Sequence, residues 1–205
     1  MYLICQPETL WNQEGRIEGR NDTPLSKKGE EQVLLLGEIF SHHPIQTVHS
    51  SPLSRAKALS LCLSKKCNCA HHEHNELTEQ DMGSSVGMTY GKHNELFSKK
   101  KSLFYAQHVY KRMNTSIHDE ETHLSVAERL LPLLHTIHEK NPKESIVIMH
   151  PHALRITLTL IGQYDEDAIL IKNGAIIELF WKEGRWNIFL MEGVSVTSEK
   201  SFFTH

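Results

Sequence analysis

The sequence predicts an α/β fold. Two observations carry that expectation. Short apolar runs alternate with amphipathic stretches, as strands alternate with the helices that cover a sheet. The chain has 205 residues, 39% hydrophobic and 23% charged, enough to bury one core and too apolar for wholesale disorder. One domain over residues 1–205 suits that length.

The elements follow in order. Tyr2–Cys5 is a short apolar run, read as a buried strand, and a polar, glycine-bearing loop runs from Pro7 to Asp22. Ser26 is placed to cap a helix that continues to about Phe40, with Val33, Leu36, Gly37 and Phe40 on one face. Thr47–Ser50 is a second strand, and residues 52 to about 63 fit a second helix. Residues 66–75 alternate in strand fashion. Residues 146–149 are the clearest buried strand, and a helix follows over 153–161. Residues 175–181 and 186–190 form a hairpin around a turn at 182–185, and the chain from about Ser195 reads as a loose tail. Residues 91–121, rich in lysine (Lys92, Lys99, Lys100, Lys101, Lys111) and aromatics (Phe97, Phe104, Tyr105, Tyr110), read as a helical insert near the site or as a solvated helical face.

Charge excludes some partners. With 22 Lys+Arg and 25 Asp+Glu the formal net charge is −3, which argues against nucleic acid and anionic membranes as general partners. Fifteen histidines make the charge sensitive to pH between roughly 5 and 7. Four cysteines, three of them clustered, do not read as a secreted disulfide scaffold. The N-terminus lacks the pattern of a signal peptide, and no uncharged apolar run approaches the roughly 18–20 residues of a membrane span. The expectation is a cytoplasmic, soluble protein.

Separated motifs carry the chemistry. Cys5-Gln6-Pro7-Glu8-Thr9-Leu10-Trp11-Asn12 follows the first strand, and Arg16-Ile17-Glu18-Gly19-Arg20-Asn21-Asp22-Thr23-Pro24-Leu25-Ser26 comes next. Ser50-Ser51-Pro52-Leu53-Ser54-Arg55-Ala56 follows the second strand. Leu77-Thr78-Glu79-Gln80-Asp81-Met82-Gly83 and Met149-His150-Pro151-His152-Ala153-Leu154-Arg155 complete the set. In order and spacing, along nearly the whole chain, they resemble the histidine phosphatase superfamily of phosphoglycerate mutase-like proteins, especially its small bacterial phosphatases. Glu121-Thr122 before a helix ending near Arg129, and Asn173-Gly174 before the hairpin, extend the likeness.

The resemblance implies a three-layer α/β/α fold around a mostly parallel sheet, with the site at the carboxyl ends of the strands. It implies a histidine in an Arg-His-Gly motif that attacks phosphorus, two arginines and a second histidine that hold the phosphoryl oxygens, and a carboxylic acid that protonates the leaving group. On this sequence Arg55 falls at the second phosphate arginine, His150 at the second histidine, Asn12 and Arg16 at the polar entrance residues, and Glu79 at the proton donor.

The Arg-His-Gly motif, however, reads Cys5-Gln6-Pro7 here. A carboxamide nitrogen is a poor nucleophile, because its lone pair is delocalised into the carbonyl. A thiol gives neither the fixed charge nor the bidentate hydrogen bonds of a guanidinium. Pro7, and Pro151 after the second histidine, have no N–H to donate. Gln6 either hydrogen-bonds a phosphate oxygen or is a plain strand-end residue. Arg55, His150 and Glu79 also have bland readings, as a surface arginine, a core-edge histidine and a polar loop residue.

Cys67, Cys69 and His71 would share one face of a strand, with His72 and His74 on the other. Thiolates and imidazoles suit zinc or copper, but the spacing matches no familiar site, so the expectation is no metal and no cofactor.

Three functions remain. The first is a non-catalytic family member, a pseudophosphatase keeping a partial phosphate pocket (Asn12, Arg16, Arg55, His150) for a phosphorylated small molecule, phosphate or a protein partner. The second is an active phosphatase or mutase in which His150 or Cys5 serves as nucleophile. The third is a structural or interaction protein that keeps only the fold. The residues favour the first, and oligomeric state is left open.

Overall fold

A computed structural model describes residues 1–197 other than 108, 142–143, 163 and 165. The elements run β1 (Tyr2–Cys5), α1 (Leu10–Gln13), α2 (Lys27–Phe40), β2 (Thr47–Ser50), α3 (Ser54–Cys67), β3 (Ala70–Glu73), α4 (Tyr90–Tyr105), α5 (Val109–Met113), α6 (His123–Lys140), β4 (Ser145–Met149), α7 (Pro151–Gly162), β5 (Ile169–Lys182) and β6 (Arg185–Val196). Six strands form one mixed sheet in the order β3-β2-β4-β1-β5-β6. The first four are parallel, and β5 and β6 are added antiparallel beside β1.

Strand alternation builds three layers. On β1, Leu3 and Cys5 face one side and Ile4 the other; on β4, Val147 and Met149 oppose Ile146 and Ile148. One face packs on α6 and α7 through Leu130, Leu134, Leu154 and Leu158. The other packs on α2 and α3 through Leu36, Phe40, Leu59 and Leu63. This is the expected α/β/α sandwich.

Several local expectations are met. Ser26 caps α2, its hydroxyl accepting from Gly29 N at 3.0 Å. Gly29 is required by space, because a Cβ there would collide with the Glu8 carbonyl. The hairpin turn closes through Glu183 and Gly184, both at positive φ.

Four boundaries are corrected. The strand expected over 66–75 is only Ala70–Glu73, because α3 runs on through Cys67 and stops at Asn68, a left-handed C-cap at φ 51. Cys67 and His71 therefore sit on a helix and a strand, not on one strand face. The helix expected to end near Arg129 continues to Lys140 across Pro132, because its buried stripe Val126, Leu130, Leu134, Ile137 is unbroken. The loop after β1 contains the one-turn α1, held by a capping box between Thr9 and Asn12. Strand β6 reaches Val196, so Ser195 lies in the sheet; residues 198–205 of the expected tail lie outside the described residues. Segment 91–121 carries most of α4 and all of α5.

Candidate functional site

The carboxyl ends of β1, β2 and β4 bring Gln6, Ser51 and His150 to one place, since these residues directly follow the three strands. Gln6 continues the sheet, its N–H donating to Met149 O at 2.8 Å, and is fully buried. Arg55, in the first turn of α3, and His150 are also fully buried.

The Gln6 carboxamide joins these groups. Its Oε1 accepts from Arg55 Nε at 2.7 Å and from His150 Nδ1, and its Nε2 donates to Glu18 Oε2 at 3.1 Å. This fixes the imidazole tautomer. A carbonyl oxygen only accepts, so Nδ1 carries the proton and Nε2 accepts from the Ser51 hydroxyl at 2.8 Å. Burial, followed by the Arg55 guanidinium, pushes His150 down to about 3, so the ring is neutral at pH 7.

Glu18, for which sequence reasoning assigned no role, places a carboxylate at the centre. Oε1 accepts from the hydroxyls of Thr9 and Thr23, and Oε2 accepts from Gln6 and from Asn12 Nδ2 at 3.1 Å. Arg55 Nε lies 3.6 Å from Oε2. Arg55 also donates to Asn21 O at 2.6 Å and Gly19 O at 2.7 Å. Gly19 can offer its carbonyl because it turns the loop at φ +53. All three guanidinium nitrogens thus have protein acceptors.

The other candidates lie around this centre. Asn12 is within it and also accepts from Asn173 Nδ2 at 3.0 Å. Arg16 is turned toward the surface, donating to Glu14 at 2.5 Å and Gly87 O at 2.9 Å. Glu79 is buried at the start of α7, accepting from the backbone N–H of His152 at 3.0 Å, Ala153 at 2.8 Å and Gln80 at 2.9 Å. Burial raises its pKa, but hydrogen bonding and charge from His152 outweigh burial and hold it below the usual range. Arg129 fixes the Glu79 loop by donating to Thr78 O at 2.7 Å and pairing with Glu121 at 2.9 Å. Cys5 is fully buried among core residues, and burial pushes its thiol pKa up. Pro7 is buried; Pro151 is the first residue of α7, where a missing N–H breaks no helical bond. All four cysteines are free, and no cluster of three metal-ligating side chains occurs among the described residues.

Residues 1–192 match the family model of the histidine phosphatase superfamily (branch 1), and the chain belongs to that superfamily. Within it, the chain is similar to the "Probable phosphoglycerate mutase GpmB" of Salmonella arizonae, 27% identical over 191 residues, covering 91% of this chain and 86% of the relative. Solved structures share the fold. A structure described as mycobacterial hydrolase 1 superposes with a TM-score of 0.81 at 18% identity, covering 96% of this chain and 98% of the other. A mycobacterial glucosyl-3-phosphoglycerate phosphatase in complex with VO3 gives 0.77 at 18%, covering 93% and 97%. The phosphoserine phosphatase of Entamoeba histolytica in complex with 3-phosphoglyceric acid gives 0.78 at 18%, covering 98% of each chain. Among the described residues no helix is long and apolar enough to cross a membrane.

Proposed function

We propose that this chain is a pseudophosphatase, a non-catalytic member of the superfamily that binds a phosphorylated or similarly anionic small molecule. One observation carries the reading. At the end of β1, where a nucleophilic imidazole would stand, the Gln6 carboxamide bridges Arg55, His150 and the Glu18 carboxylate. An amide at that position cannot accept and release a phosphoryl group. Glu18 supplies the negative charge that would otherwise come from phosphate, and Arg55, Asn12, Thr9 and Thr23 serve it instead.

The replacement nucleophiles are poorly disposed. His150 has both ring nitrogens engaged and is enclosed, while Cys5 is a buried thiol whose ionisation burial opposes. Glu79 is held as a carboxylate, with no proton to give at neutral pH. The ligand class is supported by relatives whose structures contain VO3 and 3-phosphoglyceric acid. Four free thiols suit a reducing cytoplasm.

The test is an assay with 4-nitrophenyl phosphate together with intact-mass measurement for phosphohistidine. Neither nitrophenol nor a phosphate adduct is expected. Turnover within about tenfold of a typical enzyme's roughly 10 s⁻¹ would overturn the reading.

A further inference from the structure

Beside the closed centre lies an open one. A cavity of about 310 Å³ separates α4 from α7, with Tyr90, His93, Lys101 and Phe104 on its α4 side and His152 and Arg155 on its α7 side. Its volume is at the small end of ligand pockets. Several polar atoms at this cavity have no hydrogen-bond partner among the described residues. His93 is only 4% exposed, yet neither ring nitrogen has a hydrogen-bond partner among the described residues. Arg155 Nε and Glu120 Oε2 are likewise buried and unpartnered. Such atoms cost about 1–3 kcal/mol each when they stay unmet, so a shared cavity lined by four of them, on three residues, is a site that a ligand would complete.

The charges define what fits. Two cations, Arg155 and Lys101, line the cavity with two carboxylates, Glu120 and Glu166. Glu166 already faces His123 Nδ1 at 3.2 Å, and Glu120 Oε1 accepts from Ile117 N at 2.8 Å. Toward a ligand the cavity thus presents two cations together with Glu120 Oε2, which has no hydrogen-bond partner among the described residues. Lys101 donates to Asn94 at 2.7 Å and keeps further N–H donors. Burial lowers its pKa, with Glu120 opposing and Arg155 adding to the effect, and a bound anion would favour its charged form.

We propose that this cavity binds a small organic oxyanion that also carries a hydrogen-bond donor, the oxyanion on Arg155 and Lys101 and the donor on Glu120. His93, neutral, offers one N–H and one acceptor nitrogen to the same molecule. This rests on the binding reading above and gives it a location separate from Gln6 and Glu18.

The probes are O-phosphoethanolamine, 4-aminobutyrate and ethyl phosphate, titrated by calorimetry against the full chain with released phosphate measured in the same samples. O-phosphoethanolamine is expected to saturate, and ethyl phosphate, lacking the ammonium, to bind about tenfold more weakly. Comparable binding of 4-aminobutyrate assigns the seat to oxyanions generally; its failure assigns the seat to phosphate. Arg155→Gln and, as a surface-tolerant second variant, Lys101→Gln should each weaken O-phosphoethanolamine about tenfold or more. Glu120→Gln should abolish the preference for O-phosphoethanolamine over ethyl phosphate, a selectivity readout that a folding defect alone does not produce. No saturation by any probe, or wild-type binding in Arg155→Gln and Lys101→Gln, overturns the proposal and leaves the non-catalytic reading standing. Phosphate release with binding intact overturns the non-catalytic reading and leaves the cavity standing.

Discussion

At the residue scale, Glu18 decides what the centre can do. Arg55 is a fully buried cation, and a buried charge is tolerable only when paired and hydrogen-bonded. Glu18 is its only carboxylate partner among the described residues, at 3.6 Å. Glu18→Ala should therefore cost about 3 kcal/mol, a fall in Tm of roughly 6–12 °C for a chain of this size. The same variant vacates the space of a carboxylate beside Arg55, Asn12 and Gln6. Phosphate at about ten times its Kd would then return about 1.4 kcal/mol. Thermal melts should show phosphate stabilising Glu18→Ala more than wild type, and equal shifts would show that no anion seat lies beneath Glu18. A second consequence concerns repair of the motif. Gln6→His alone should restore little phosphatase activity, since Glu18 still fills the seat and Cys5 supplies no guanidinium. Cys5→Arg, Gln6→His and Pro7→Gly together should recover more than the sum of their single effects, because groups that act as a unit are not additive. Gln6, Asn12, Arg55 and His150 could be placed near one another from their motifs. The part of Glu18 could not, because its carboxylate reaches Gln6 only through the path of the intervening loop.

At the scale of elements, legibility follows burial. β1 and β4 are nearly continuous apolar runs at the centre of the sheet, and β2, though it reads Thr47-Val48-His49-Ser50, is buried beside β4, so the bounds of all three read closely from sequence. β3 is an edge strand with the polar sequence Ala70-His71-His72-Glu73, mostly exposed, so its alternation did not separate it from the last turn of α3. The one-turn α1 has no buried residue, and its capping box is visible only once the Thr9 and Asn12 side chains are placed. Helix α7 was legible as an element, though expected to begin at Ala153 rather than Pro151, and its anchoring was not legible. Pro151 begins the helix, and Glu79 from a distant loop accepts from two of its orphan N–H groups. Glu79→Ala should cost about 2 kcal/mol by uncapping α7. Glu79→Gln, which keeps an acceptor oxygen, should lose less. Chemical denaturation of the two variants measures the difference, and equal losses would show that the charge rather than the cap holds the helix.

At the scale of the whole molecule, the fifteen histidines make stability depend on pH. Two are strongly shifted. Burial, then His74, His72, His71 and Lys140 in descending order, push His49 down to about 3. Burial and Arg55, against the opposing pull of Glu79, push His150 down to about 3. His71, His74, His93 and His123 are lowered too, each chiefly by burial. The sign follows from which state holds the proton. Between about 6.5 and 3 the unfolded chain protonates His49 and His150 while the folded chain does not, so acid favours unfolding. Their stabilisation is complete above about 6.5 and is lost as pH falls toward 3, at up to about 1.4 kcal/mol per pH unit for each group. Below about 4.5, carboxylates held as anions in the fold, Glu79 and Glu121, act in the same direction. Stability should therefore fall steeply from pH 7 to pH 4.5, even though surface charge alone changes little about the core. His49→Gln isolates one contribution, because an amide keeps a hydrogen bond to His74 Nε2, now 3.0 Å from His49 Nδ1, without titrating. Unfolding of that variant near pH 5 should take up close to one proton fewer than wild type, read from the slope of unfolding free energy against pH. An unchanged slope would mean that His49 titrates alike in both states, and that its enclosure between β2, β3 and α6 does not exclude the charge.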